Sequence, residues 1–154
     1  MTSRISESIR QWWPGRRKSD CAKGLQILSN QDFERRLHEE RARADRSDSC
    51  FTFLTISVLT PRNTSLSRTA EQALIAALYE NTRTTDIKGW YGNHIGLVLP
   101  YTSSLDAEKV YHKIHQAYRK RAMDDLDGRH PLPDIHCSVR AHPRVHHRSA
   151  SRAS

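Results

Sequence analysis

Residues 83–102 read RTTDIKGWYGNHIGLVLPYT, and the reading of the fold turns on them. A short strand around Asp86–Trp90 and a stronger one over Ile95–Leu99 flank the turn Tyr91-Gly92-Asn93-His94. Gly92 and Asn93 suit the positive φ that tight hairpin turns demand, so this stretch predicts a β-hairpin.

Upstream, Phe51-Thr-Phe-Leu-Thr-Ile-Ser-Val58 alternates large apolar with small polar residues and is rich in β-branched side chains. That pattern predicts a strand, broken by Pro61 and Asn63. Between strand and hairpin, a helix is expected from about Ser67 to Asn81, with Ala70, Ala73, Leu74, Ala77 and Leu78 on one face. Before the strand, Ser29 and Asn30 can cap a helix whose apolar face is Phe33, Leu37 and Ala44. Glu39, four residues before Arg43, is expected to strengthen it, and the polar DRSDS turn (45–49) to end it.

Downstream, Ser103 or Ser104 caps a long helix with Ala107, Val110, Tyr111, Ile114 and Tyr118 inward, fraying in MDDLDGRHP (123–131). A last strand over Ile135–Ala141 alternates Ile135, Cys137 and Val139 against His136, Ser138 and Arg140. The order is helix, strand, helix, hairpin, helix, strand. It predicts an α/β (α+β sandwich) fold, an antiparallel-rich central sheet with helices packed against it, of the palm or ferredoxin-like type.

The 154 residues, 36% hydrophobic and 27% charged, suit one domain. No apolar run is long enough to span a membrane, and no secretory h-region opens the chain. Cys21, Cys50 and Cys137 are an odd number without CxxC spacing, which reads as reduced thiols in a cytoplasmic protein. The net charge of +8 sits mostly at the ends: residues 1–20 carry +3, and residues 140–154 carry four arginines and no acid. About +1 remains for the body, whereas a nucleic-acid reader would carry its basic patch on the fold itself. Nucleic acid is therefore not an expected partner. The expected organisation is a basic flexible segment over 1–27, a folded domain over 28–143, and a disordered Ser/Arg/His tail over 144–154.

Four segments together resemble the GGDEF domain, the fold of diguanylate cyclases. LSNQDFERRLHEERARADR (28–46) is similar to its opening helix and FTFLTISV (51–58) to its first sheet strand. RTTDIKGWYGNHIGLVLPYT is similar to the passage through the signature hairpin into "L-P-x-T", and IHCSVRAHP (135–143) to the closing strand. The resemblance covers residues 28–143 and implies a palm-like fold. In the family it implies the joining of two GTP molecules with the help of metal ions held by carboxylates.

This sequence departs from that chemistry. Ser57 stands where the first strand of the family carries an Asp metal ligand. Counting back from Leu99-Pro100 places Tyr91, Gly92, Asn93, His94 and Ile95 on the five signature positions, so Tyr91 replaces the first glycine and His94 the acid. Imidazole is a poor magnesium ligand. The guanine-reading segment is reduced to LTPRNTSLS (59–67), with Asn63 its only candidate. The resemblance then implies a catalytically inactive regulatory or protein-interaction module, with no catalytic residue, no metal and no cofactor. The family context for such modules is cyclic di-GMP signalling and exopolysaccharide control.

One family element survives. Arg83-Thr-Thr-Asp86 fits the RxxD inhibitory motif, with five residues between Asp86 and Gly92. That spacing matches the family if Gly92 is the first signature glycine, one residue out of step with the alignment above. In the family the Arg and Asp clamp cyclic di-GMP, a role suited to a forked guanidinium. The alternative function is thus a cyclic di-GMP receptor acting through Arg83 and Asp86; the plainer reading of Asp86 is a cap on the hairpin.

The remaining signals are weaker. His142, His146 and His147 have a metal-like spacing, but Pro143 interrupts it in a polar tail, so no zinc site is expected. Trp12-Trp13 with flanking arginines could lie on a membrane surface, cover a sheet edge or meet a partner, and membrane contact is not the favoured reading. Trp90 and Tyr91 are expected to pack or to meet a partner.

Overall fold

The computed structural model of the chain describes residues 25–59, 68–125 and 132–143. Helix α1 (Asn30–Ser47) leads into strand β1 (Phe51–Leu59), helix α2 (Arg68–Asn81), the hairpin strands β2 (Ile87–Tyr91) and β3 (His94–Pro100), helix α3 (Ser104–Asp125) and strand β4 (Asp134–His142). The strands form one fully antiparallel sheet in the order β2-β3-β1-β4. Every expected element is present, with ends within a residue or two of those read from periodicity.

The helices form two layers, one on each face of the sheet. Alternate residues of β1 point to opposite faces, so Phe51 and Phe53 join Phe33, Leu37 and Ala44 of α1, with Ile87 and Val98. Leu54, Ile56 and Val58 join the apolar faces of α2 and α3, with Ile95, Leu97, Leu99 and Ile135. A helical layer on each side explains why Phe51, Thr52, Phe53 and Leu54 are all buried, although their pattern reads as a half-buried strand. Tyr118 is fully buried on the α2–α3 side, and its hydroxyl donates to the Pro133 carbonyl at 2.8 Å.

Capping follows local chemistry. The Ser29 and Ser103 side chains accept the Asp32 and Asp106 N–H groups at 3.2 and 3.1 Å, so each is the N-cap of its helix. Asn30 is instead the first residue of α1, and its side chain is used elsewhere. The expected Glu39–Arg43 pair does not form. Arg36 takes Glu39 at 3.4 Å, and Arg43 turns to Glu40, its Nε 3.0 Å from Oε2, while Nη1 reaches the Tyr101 hydroxyl at 2.6 Å. Glu40 is buried on the inner side of α1 and draws the guanidinium away from Glu39.

Residues 1–24, 60–67, 126–131 and 144–154 lie outside the described residues. With them lie the expectations for the two ends of the chain, Cys21, Trp12-Trp13, Asn63, His146 and His147. His142 is described, and it bonds Asp45 at 2.9 Å. No helix among the described residues is long and apolar enough to cross a membrane.

Candidate functional site

Tyr91 and His94 face each other across the ends of β2 and β3, and Gly92 and Asn93 make the two-residue turn between them. Only Gly92 takes a positive φ, +61°, while Asn93 does not. That is the type II′ arrangement, in which the first turn residue must tolerate the left-handed region. The expectation of positive φ at both positions is corrected: one glycine suffices. The Gly92 N–H donates to Asn30 Oδ1 at 2.6 Å, tying the turn to the start of α1.

Tyr91 is half-buried and turned toward α1. Its ring packs edge-on against Phe53 at 5.2 Å and Phe33 at 6.1 Å, on the α1 side of the sheet. Ile95 is buried among the α2 and α3 side chains. Trp90 also packs toward that core, so the pair divides between the two layers.

The structure brings Ser57 and His94 together. Ser57 Oγ lies 2.9 Å from His94 Nδ1, both half-buried, and His136 of β4 stands opposite Ser57 in register. Burial lowers the His94 pKa below the usual histidine value, so the imidazole is neutral near pH 7. Among the described residues, no three His, Cys, Asp or Glu side chains gather closely enough to hold a metal ion.

Arg83 and Asp86 lie at the other end of β2. Asp86 Oδ2 accepts the Arg83 backbone N–H at 2.7 Å, and the Arg83 carbonyl accepts the Asp86 N–H at 3.1 Å. The motif is closed on itself as a capped turn, with Asp86 buried. One carboxylate oxygen is therefore committed before any ligand arrives.

Around this turn runs an open groove of about 590 Å³. Arg36, Arg83, Lys88, Tyr79 and Thr82 are among its lining residues. Lys88 Nζ sits 4.9 Å from the centre of the Tyr79 ring and donates to the Asp86 carbonyl at 3.1 Å. Burial lowers the Lys88 pKa, and the Asp86 carboxylate opposes that shift. The Tyr79 hydroxyl donates to the Gln26 carbonyl. Three cations and an aromatic face suit an anionic, ring-bearing ligand.

The contributions of Arg36, Tyr79 and Lys88 were not foreseen. They come from three different elements, and no local spacing announces them. Asn30 was also missed as the anchor of the turn, because its position beside Ser29 reads as capping.

No protein-family model matches the chain, and no curated protein matches it by sequence. Solved structures do. A DGC protein from Thermotoga maritima matches with TM-score 0.58 at 16% identity, over 78% of this chain and 85% of that one. The GGDEF domain of FimX from Pseudomonas aeruginosa matches with TM-score 0.58 at 11% identity, over 76% of each chain. Diguanylate cyclase SiaD from Pseudomonas aeruginosa, in complex with its activator SiaC, matches with TM-score 0.51 at 20% identity. That match covers 75% of this chain and 46% of SiaD. The chain has the GGDEF fold.

Proposed function

We propose that this GGDEF-fold chain is a catalytically inactive regulatory module that acts through a protein partner in cyclic-di-GMP-related or exopolysaccharide control. The observation that carries the proposal is the Ser57–His94 contact at 2.9 Å. Those are the positions where the family resemblance calls for carboxylates. Magnesium-type ions seek carboxylate oxygens, and a hydroxyl bonded to a neutral imidazole offers none. The residues present do not fit such ions.

Tyr91 supports the same reading. A ring wedged against Phe33 and Phe53 occupies the position of a glycine that the family keeps clear for phosphates. The partner half of the proposal draws on SiaD, a chain of the same fold seen with a protein activator. The test is incubation with GTP and magnesium or manganese, which should yield no cyclic di-GMP above the blank. Turnover that is lost in His94→Ala would overturn the proposal.

The cationic groove favours a second reading, a cyclic di-GMP receptor at Arg83 and Asp86. Isothermal titration separates the two. The first reading expects no heat of binding with cyclic di-GMP or GTP. The second expects micromolar or tighter binding of cyclic di-GMP, about −8 kcal/mol or better, weakened roughly tenfold to a hundredfold by Arg83→Ala.

A further inference from the structure

The two margins of the sheet are finished differently. At the β2 margin, Leu28 lies alongside Gly89 in a parallel bridge, its N–H donating to the Lys88 carbonyl at 3.0 Å and its carbonyl accepting from Trp90 N–H at 2.9 Å. At the opposite margin, no strand among the described residues pairs with the outer side of β4.

The bonding phase of β4 follows from the ladder. Tyr101 N–H donates to the Cys50 carbonyl at 2.8 Å, one step outside the Phe51–Pro100 pair, so that pair exchanges no bonds of its own. Thr52, Leu54 and Ile56 therefore bond to β3, and Phe53, Thr55 and Ser57 turn their backbone groups to β4. Across the β1–β4 register, His136, Ser138 and Arg140 bond inward, and Ile135, Cys137 and Val139 present N–H and C=O outward. Two side-chain bonds agree with this phase. The Ile135 N–H is held by Asp134 Oδ1 at 2.9 Å, and its carbonyl by the Tyr111 hydroxyl at 2.8 Å.

Exposed edges are normally blunted by shortness, Lys or Pro. β4 is nine residues long and has neither Lys nor Pro within it. Its two charged residues of fixed sign, Asp134 and Arg140, are both exposed and stand six apart on one face. Arg140 forms no ion pair among the described residues.

We propose that β4 is a self-association edge, with two copies of this chain pairing antiparallel about a twofold axis through Cys137. In that register Asp134 faces the partner's Arg140, twice over, and Ile135 exchanges backbone bonds with the partner's Val139. His136 faces the partner's Ser138. The Ile135 N–H passes from Asp134 Oδ1 to the partner's Val139 carbonyl; Oδ1 keeps His115 Nε2 at 3.0 Å, and the second carboxylate oxygen of Asp134 takes the ion pair. Its own carbonyl keeps Tyr111 on one lone pair and takes the partner's N–H on the other. Charge complementarity selects this register. Within β4, an axis through Val139 would set Arg140 against the partner's Ser138 and His136 against the partner's His142, and would leave Asp134 with no β4 residue opposite it.

The product is a continuous eight-stranded sheet, and the experiment is the molar mass of the full chain across a dilution series. A dimer is expected. Asp134→Arg and Arg140→Asp should each weaken it about tenfold or more, since each change acts twice across the axis. The double exchange, Asp134→Arg with Arg140→Asp, should restore the dimer to within about threefold of the native chain. Val139→Pro removes an outward N–H that β1 does not use, and should abolish the dimer while the circular dichroism of the monomer is kept. A chain that stays monomeric at every concentration overturns the proposal. So does a dimer indifferent to both single reversals, or a double exchange that fails to restore it.

Discussion

The ring of Phe33 lies directly on the bare backbone of Gly96: a Cβ added at Gly96 would stand 2.5 Å from ring atoms Cε1 and Cζ. Gly89, which pairs with Gly96 across the hairpin, would place a Cβ 2.7 Å from the Phe33 Cβ. Two facing glycines make a furrow, and the first large residue of α1 fills it. This contact sets the height of α1 above the hairpin.

Gly96→Ala should therefore lower stability by about 1–3 kcal/mol, the usual range for forcing a methyl group into a filled core. Phe33→Leu in the same chain should recover part of that loss. Urea unfolding of the four chains in a double-mutant cycle is the measurement. Strict additivity would show that the two residues do not meet as described.

The Arg83–Asp86 turn makes an asymmetric prediction. What the turn uses from Arg83 is its backbone N–H, whereas from Asp86 it uses the carboxylate. Asp86→Ala should cost about 1–2 kcal/mol by leaving that N–H without its acceptor. Arg83→Ala should stay within about 0.5 kcal/mol of the native chain. Equal losses in both variants would argue that the guanidinium, too, is structural.

His94 carries a pH dependence of definite sign. Burial holds its folded pKa below the ordinary histidine value of 6.5. As pH falls through and below that value, the unfolded chain takes up a proton that the folded chain refuses, so stability falls with it. His94→Asn should flatten the decline between neutral and mildly acidic pH, measured as the change in unfolding midpoint relative to the native chain. A steeper decline in the variant would reverse the assigned direction.

Asp48 closes α1 in the left-handed region, at φ +49°, with its N–H donating to the Ala44 carbonyl. A side chain there meets steric cost, and its negative charge faces the negative end of the helix dipole. Asp48→Gly is expected to raise stability by about 0.5 kcal/mol. A thermal melt showing a loss instead would assign the Asp48 carboxylate a role of its own.

The elements were legible because their signals are local. Phe51–Val58 announces a strand by composition, and Ala70–Leu78 a helix by its period. Ser29 and Ser103 mark helix starts by capping chemistry that needs only three residues to operate. The Ser57–His94 contact was not legible as a contact. The two lie 37 residues apart, and only strand register, set by the whole sheet, makes them neighbours. The groove was hidden for the same reason, its cations coming from α1, the loop after α2, and β2. The Glu39–Arg43 misreading has a different source. Spacing along an isolated helix ignores which side is buried, and the buried Glu40 decided the partner.

Leu28, Ser29, Asn30 and Phe33 act in sequence as a tether: an edge bridge, a cap, a bond to the Gly92 turn and a ring seated in the glycine furrow. Tension applied at residue 25 would first meet the Tyr79 hydroxyl on the Gln26 carbonyl and then these attachments one after another, beginning with the two backbone bonds of Leu28. The load path runs into α1 and the hairpin tip before it reaches β1 or β4. The helix would yield first, while the remaining two-layer contact between the sheet and α2 and α3 stays shut. Mechanically, α1 is the strap of this domain, and the rest is the buckle.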